Sequence, residues 1–156
     1  MSATDAMARP ILLLDVDGVV FDSNTAKQRN IYEAALPVVG RERAEALRQD
    51  FTARSGLPRE GKIAAILGQD TPDYFEVLSR YTARNAETLR DVPFTAGARE
   101  ALTVLARYYR LVALSGADEK ELHALFACRE IATLFFAIRG GPLTKLRNLR
   151  CFEGEE

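Results

Sequence analysis

The stretch Ile11-Leu-Leu-Leu-Asp-Val-Asp-Gly-Val-Val20, apolar but for two aspartates and a glycine, constrains this chain more than any other. An aliphatic run without polar alternation predicts a parallel-sheet strand buried on both faces. The aspartates then fall at its exit. Side chains two apart on a strand share a face, so Asp15 and the turn through Asp17 address a pocket at the carboxyl end of the sheet, where open α/β sheets bind ligands. Gly18 lets the backbone turn closely there. Two buried carboxylates repel unless a cation or hydrogen bonds hold them, and magnesium takes a few such oxygens together with water and substrate phosphate. A carboxylate can also accept a phosphoryl group. The simpler reading, in which both aspartates only cap a turn, leaves charge buried without a partner.

The rest of the chain places this strand in an α/β frame with a helical interruption. Asp22, Ser23 and Asn24 offer acceptors for a helix start, and helix continues around Pro37 to about Val39, with a break at Gly40. From Arg41 to about Leu89 strand signals disappear. Helices are predicted over Glu42 to Arg54, Pro58 to Leu67 and Pro72 to Leu89, the last with Tyr74, Val77, Leu78 and Tyr81 on one face. Asp91 to Gly97 breaks this pattern before a helix whose stripe is Ala98, Ala101, Leu102 and Leu105. Arg110 to Leu114 reads as a second strand ending at Ser115-Gly116. Asp118 with Glu121 resembles a capping box that opens a helix through Phe126. Leu134 to Ile138 reads as a third strand, and Gly140-Gly-Pro142 introduces a short helix with Lys145, Leu146 and Leu149.

Bulk properties exclude several classes of partner. At 156 residues, 47% hydrophobic and 28% charged, the chain matches soluble globular proteins. A formal net charge of -1 argues against a surface for the nucleic-acid backbone. The first apolar run is too short for a membrane span or a leader, so a cytoplasmic protein without nucleic-acid or membrane partners is expected. Cys128 and Cys151, without C-x-x-C spacing, suggest neither a disulfide framework nor a thiolate zinc site.

Asp15-Val-Asp-Gly-Val-Val-Phe-Asp-Ser23 resembles the first motif of the haloacid dehalogenase (HAD) superfamily, especially its phosphatases with helical caps, of phosphoglycolate phosphatase type. The resemblance implies a three-layer, Rossmann-like α/β core with a mostly parallel sheet, residues 1–22 and 90–156, and an all-helical cap, residues 23–89. It implies Asp15 as nucleophile, Asp17 as general acid and base, and magnesium (Mg2+) held by Asp15 and Asp17, the latter also through its backbone carbonyl. Ser115 matches the second motif, whose hydroxyl binds the transferring phosphate. Gly116 would extend that site, and Gly18 is a further phosphate-binding candidate. Lys145 in Gly140-Gly-Pro-Leu-Thr-Lys145 resembles the third-motif lysine, which balances the charge of nucleophile and phosphate. Ser55-Gly-Leu-Pro-Arg59 resembles a cap loop that faces substrate, which makes Arg59 a candidate contact. The implied substrate is a small phosphorylated metabolite, such as phosphoglycolate or another phosphate ester.

Each secondary site also has a plain structural reading. Ser115 can meet a local N–H at a strand end, Lys145 can be a solvated helix residue, and Arg59 can be structural or solvent-facing. His123 has no metal-ligating neighbours in sequence and is assigned no role. After Lys145 the sequence departs from the family, because no strand leads to an acidic fourth motif, and Glu153, Glu155 and Glu156 lack a preceding strand. The expectation is a core shortened at its C-terminus, weakly held magnesium, and an Ile11–Asp15 strand left as an edge through which copies self-associate. Two other functions compete. One is a catalytically inactive HAD-like remnant that binds a phosphate ligand or a protein partner. The other is a phospho-accepting, receiver-like domain, which gives no reason for the helical insertion.

Overall fold

In the computed structural model, which describes residues 9–54 and 57–152, the backbone separates into two compact units. Residues 1–22 and 93–156 form one, and residues 23–92 the other. Ser55 and Gly56 of the expected cap loop, and Glu153, Glu155 and Glu156, lie outside the described residues.

The first unit carries the sheet. Its elements are β1 (Ile11–Asp15), followed beyond the second unit by α4 (Ala98–Leu105), β2 (Arg110–Asp118), α5 (Glu119–Cys128), a 3-10 turn (Ala132–Leu134), β3 (Phe135–Gly141) and α6 (Lys145–Arg150). All pairing is parallel, in the order β1-β2-β3, with Ile11 opposite Arg110 and Asp15 opposite Leu114. β2 is buried from Arg110 to Ser115, as a strand with neighbours on both sides should be.

β1 corrects the expectation of burial on both faces. Ile11, Leu12 and Leu14 are half-buried and Leu13 is 38% exposed. Among the described residues β1 pairs only with β2, and the sheet therefore covers one edge of it alone. The apolar residues that are buried come after Asp15. There the Val16 carbonyl accepts from the N–H groups of Val20 and Phe21 at 2.9 and 3.0 Å, which turns the chain inward. Phe21 then packs against Phe94 and Phe126, with ring centroids 4.9 and 5.8 Å away.

Two strands also run longer than the apolar pattern predicted. β2 continues past Leu114 to Asp118, with an irregular register over that stretch, and β3 continues past Ile138 to Gly141, opposite Asp118. Helix α5 starts as the capping pattern predicts, because the Asp118 carboxylate accepts from the N–H groups of Lys120 and Glu121.

The second unit is entirely helical among its described residues: α1 (Asn24–Ala53), α2 (Arg59–Leu67) and α3 (Pro72–Thr88). Helix α1 is broken at Gly40, whose φ of 77° and ψ of 174° belong to a region that only glycine enters without strain. Ser23 occupies the cap position of α1, but its side chain makes no capping bond. Thr71 caps α3 by accepting from the Tyr74 N–H, with Pro72 in the first turn, where a missing N–H does no harm. Tyr74, Val77 and Tyr81 join Ile31, Leu47 and Ile63 in one buried cluster, against which Leu78 packs. Asn30 ties α1 to α3 through its amide, which donates to Asn85 Oδ1 at 2.8 Å and Thr88 Oγ1 at 2.7 Å.

Candidate active site

Parallel β1 and β2 end side by side, and the turns that leave them carry the polar groups. Asp15 is the last residue of β1, and its Oδ1 accepts the Val16 N–H at 2.7 Å, which holds the carboxylate against the turn. That turn is tight. Gly18, with a φ of 78°, donates its N–H to the Phe21 carbonyl at 2.7 Å, a conformation that side chains with a Cβ adopt poorly.

Lys145, the first residue of α6, brings its Nζ to 2.6 Å from Asp15 Oδ1. The two side chains are 26% and 38% exposed, so the pair is open to solvent on one side. Ser115 is fully buried near the end of β2. Its hydroxyl accepts the Ala117 N–H at 3.0 Å and donates to Asp17 Oδ2 at 3.3 Å. The local strand-end bond and the reach toward the carboxylates thus coexist. Gly116 follows in the irregular part of β2.

Four groups from three well-separated parts of the sequence therefore meet in two contacts, Asp15 with Lys145 and Asp17 with Ser115. Arg59 is placed differently. It is buried in the helical unit, donates to Thr82 Oγ1 at 3.1 Å and stacks its guanidinium over the Tyr81 ring at 5.5 Å. His123 shows no metal-ligating cluster around it, and no group of three or more His, Cys, Asp or Glu suited to a metal occurs among the described residues.

Would magnesium fit these side chains? Asp15 and Asp17 offer hard carboxylate oxygens, the donors that Mg2+ prefers, and Asp15 is exposed enough to meet an ion with its water shell. Magnesium is ordinarily held by one or two carboxylates plus substrate phosphate and water, not by an all-protein cage, and the donor set matches that mode.

Sequence reasoning passed over Glu119, Gly140 and Asn148. Glu119 Oε2 accepts the Gly140 N–H at 3.0 Å, and the Asn148 amide donates to the Gly140 carbonyl at 2.9 Å. The one signal available was an asparagine a single helical turn after Lys145.

No family model and no curated protein matches the sequence. Solved structures do resemble the fold. The chain is similar to a predicted phosphatase from Clostridium acetobutylicum at a TM-score of 0.70 and 18% identity, covering 90% of this chain and 68% of that one. It is similar to a predicted phosphoglycolate phosphatase from Haemophilus somnus at 0.67 and 16%, covering 87% and 64%. A third likeness is to the proposed HAD-hydrolase YfnB from Bacillus subtilis, whose structure is bound to magnesium, at 0.59 and 14%, covering 85% and 65%. The chain thus spans roughly two thirds of the length of these proteins. At such identities the likeness establishes the fold alone: a Rossmann-like α/β core with a parallel sheet, interrupted by a helical unit, as in these solved structures.

Proposed function

We propose that the chain is a magnesium-dependent phosphohydrolase that cleaves a small phosphate monoester through an aspartyl-phosphate on Asp15. The observation that carries this reading is the Lys145–Asp15 contact at 2.6 Å, beside Ser115 bonded to Asp17. An ammonium against a strand-end carboxylate, with a second carboxylate and a hydroxyl adjoining, is an arrangement suited to a dianionic phosphoryl group. The phosphatases among the structural neighbours and the motif resemblance support the same chemistry.

In this mechanism the Asp15 carboxylate attacks phosphorus, and the bond from phosphorus to the ester oxygen breaks. Asp17 protonates the departing oxygen. Water, giving a proton back to Asp17, then attacks the acyl-phosphate, and inorganic phosphate leaves as the Asp15 carboxylate is restored. Lys145 and the Ser115 hydroxyl, with the backbone at Gly18 and Gly116, face the charge on the phosphoryl oxygens. Asp15 and Asp17 would hold magnesium, which when bound neutralises charge on the transferring group.

Arg59, embedded in the helical unit, is retained only as a candidate contact to the remainder of the substrate. The reading takes the protein as cytoplasmic. Free, exposed Cys128 and Cys151 suit a reducing compartment, and no described helix is long and apolar enough to cross a membrane.

The test is turnover of a generic aryl phosphate with and without magnesium, in the parent and in Asp15→Asn. Turnover that needs magnesium and disappears in the variant, with an unchanged far-ultraviolet circular dichroism spectrum, is the expected result. Equal rates in both proteins would overturn the assignment. A second reading, phosphate binding without turnover, is favoured by one observation: among the described residues no third acidic or histidine side chain joins the two carboxylates. Calorimetric binding of inorganic phosphate by a parent that hydrolyses nothing would select it.

A further inference from the structure

Lys145 sits on a helix that cannot hold its own position. Helix α6 has six residues, and isolated helices shorter than about 12 residues are marginal in water. Its own cap, Thr144 Oγ1 accepting the Arg147 N–H at 3.3 Å, is exposed. The place of α6 must therefore come from what it binds.

The buried attachment is Asn148. It is 3% exposed, lies one turn after Lys145, and donates its amide to the Gly140 carbonyl at 2.9 Å. The other polar group of Gly140 is held as well, since its N–H donates to Glu119 Oε2 at 3.0 Å. Glu119 opens α5, directly after the strand that bears Ser115, and its Oε1 also faces Arg139 Nη1 at 3.6 Å. A Cβ at residue 140 would lie 2.5 Å from the Ala117 carbonyl oxygen and 2.8 Å from Glu119 Cα, so the strands approach this closely only because residue 140 is glycine. One residue, through its N–H and its carbonyl, thus joins the end of β3 to the helix after Ser115 on one side and to the helix of Lys145 on the other.

We infer that Asn148, with Glu119, is a positioning residue that sets Lys145 against Asp15 by clamping α6 to Gly140. The catalytic meaning of the clamp rests on the phosphohydrolase reading above. Its structural meaning does not. An asparagine amide supplies the donor that the Gly140 carbonyl needs in a buried place, whereas alanine leaves that carbonyl without a partner and aspartate offers no N–H at all. Lys145 has a flexible four-carbon stem and can follow a small shift of its helix, so losing the clamp should cost less than losing the lysine. A displacement of the order of 1 Å of a charge-stabilising group lowers turnover by about 10- to 100-fold.

The test uses the full chain with Asn148→Ala, Asn148→Asp, Lys145→Met and the double variant Asn148→Ala/Lys145→Met. Amine labelling with acetic anhydride, read by mass spectrometry and normalised to the other lysines, reports on Lys145 without any need for turnover. Labelling of Lys145 should rise several-fold in both Asn148 variants. kcat should fall by about 10- to 100-fold with a smaller change in KM, and the double variant should be no slower than Lys145→Met. Glu119→Gln, which keeps an acceptor for the Gly140 N–H, should label like the parent, and Glu119→Ala should not. This pair also decides the matter should the Asn148 variants not fold. Unchanged labelling in folded variants that lack either half of the clamp would overturn the inference, as would fully additive losses in the double variant. Undiminished turnover in Lys145→Met would instead overturn the phosphohydrolase role of Lys145, with labelling still deciding whether the clamp positions it.

Discussion

Replacing Lys145 with methionine separates a structural ion pair from a catalytic charge, because the two roles predict very different magnitudes. Unit charges 2.6 Å apart attract by about 6 kcal/mol at an effective dielectric of 20 and by about 1.6 kcal/mol in water. With the side chains 26% and 38% exposed, solvent brings the pair toward the lower limit. Ordering the long lysine side chain offsets roughly 1–2 kcal/mol more, so the net contribution to stability is about 1 kcal/mol or less. Methionine also keeps most of the apolar stem, and Asp15 stays open to water. The melting temperature should therefore move by less than about 4 °C. Against a phosphoryl group that builds negative charge, the same ammonium is worth about 100- to 1,000-fold in kcat, by comparison with deletion of a single oxyanion-stabilising donor. The assay is hydrolysis of an aryl phosphate at saturating magnesium, with a thermal melt of the same preparation. A melting temperature that drops by well over 4 °C while kcat of the folded protein stays put would refute the reasoning and make the pair a strut.

Three further outcomes follow from the fold. Burial, helped by nearby Glu60 and Asp70, raises the Tyr74 hydroxyl above its ordinary value of 10.0. The fold favours the neutral phenol, so this stabilisation is complete below pH 10 and disappears as pH climbs through the raised value. Denaturant unfolding above pH 10 should weaken more steeply in the parent than in Tyr74→Phe, and equal slopes would contradict it. Gly40→Ala should destabilise the helical unit by about 1–3 kcal/mol in urea titration, because φ is 77° and no neighbour crowds the new methyl, leaving backbone strain as the whole effect. Among the described residues one edge of β1 has no strand beside it, and that edge, with Leu13 exposed, is expected to drive association that light scattering sees rise with concentration and that Leu13→Lys suppresses. A monodisperse monomer across the series would remove that expectation.

Elements with strong periodicity were readable before any coordinates. The Tyr74, Val77 and Tyr81 face and the Gly40 break follow from local rules of packing and backbone freedom. So does the Asp118 cap. The meeting of Asp15, Asp17, Ser115 and Lys145 is anticipated from the motif resemblance, and it is physically possible because parallel strands deliver their carboxyl ends to one rim: Asp15 ends β1, Ser115 lies near the end of β2, and Lys145 follows β3. The aliphatic pattern of β1 misjudges its burial, although the absent fourth motif already leads to the expectation of an edge strand. Ile11 to Leu14 carry the same aliphatic signal whether one neighbouring strand is present or two, since local hydrophobicity says nothing about what lies beside it. The ends of β2 and β3 were misjudged for a related reason. Gly140 and Gly141 look like a break, yet Glu119 and Asn148 hold Gly140 by both its N–H and its carbonyl and keep it alongside β2. Those two polar side chains, read in sequence, resemble ordinary solvent-facing helix residues, and only the tertiary structure shows that their partner is the backbone of one buried glycine.

The central claim is that Asp15 carries the phosphoryl group, and chemical trapping tests it most directly. The parent is mixed with an aryl phosphate and magnesium, quenched during turnover, treated with borohydride and digested for mass spectrometry. An acyl-phosphate on Asp15 is reduced to homoserine at that position, and the account predicts this product at residue 15, dependent on substrate and absent from Asp15→Asn. Hydrolysis that proceeds with Asp15 unmodified under the same quench, or reduction found at another carboxylate, would contradict it.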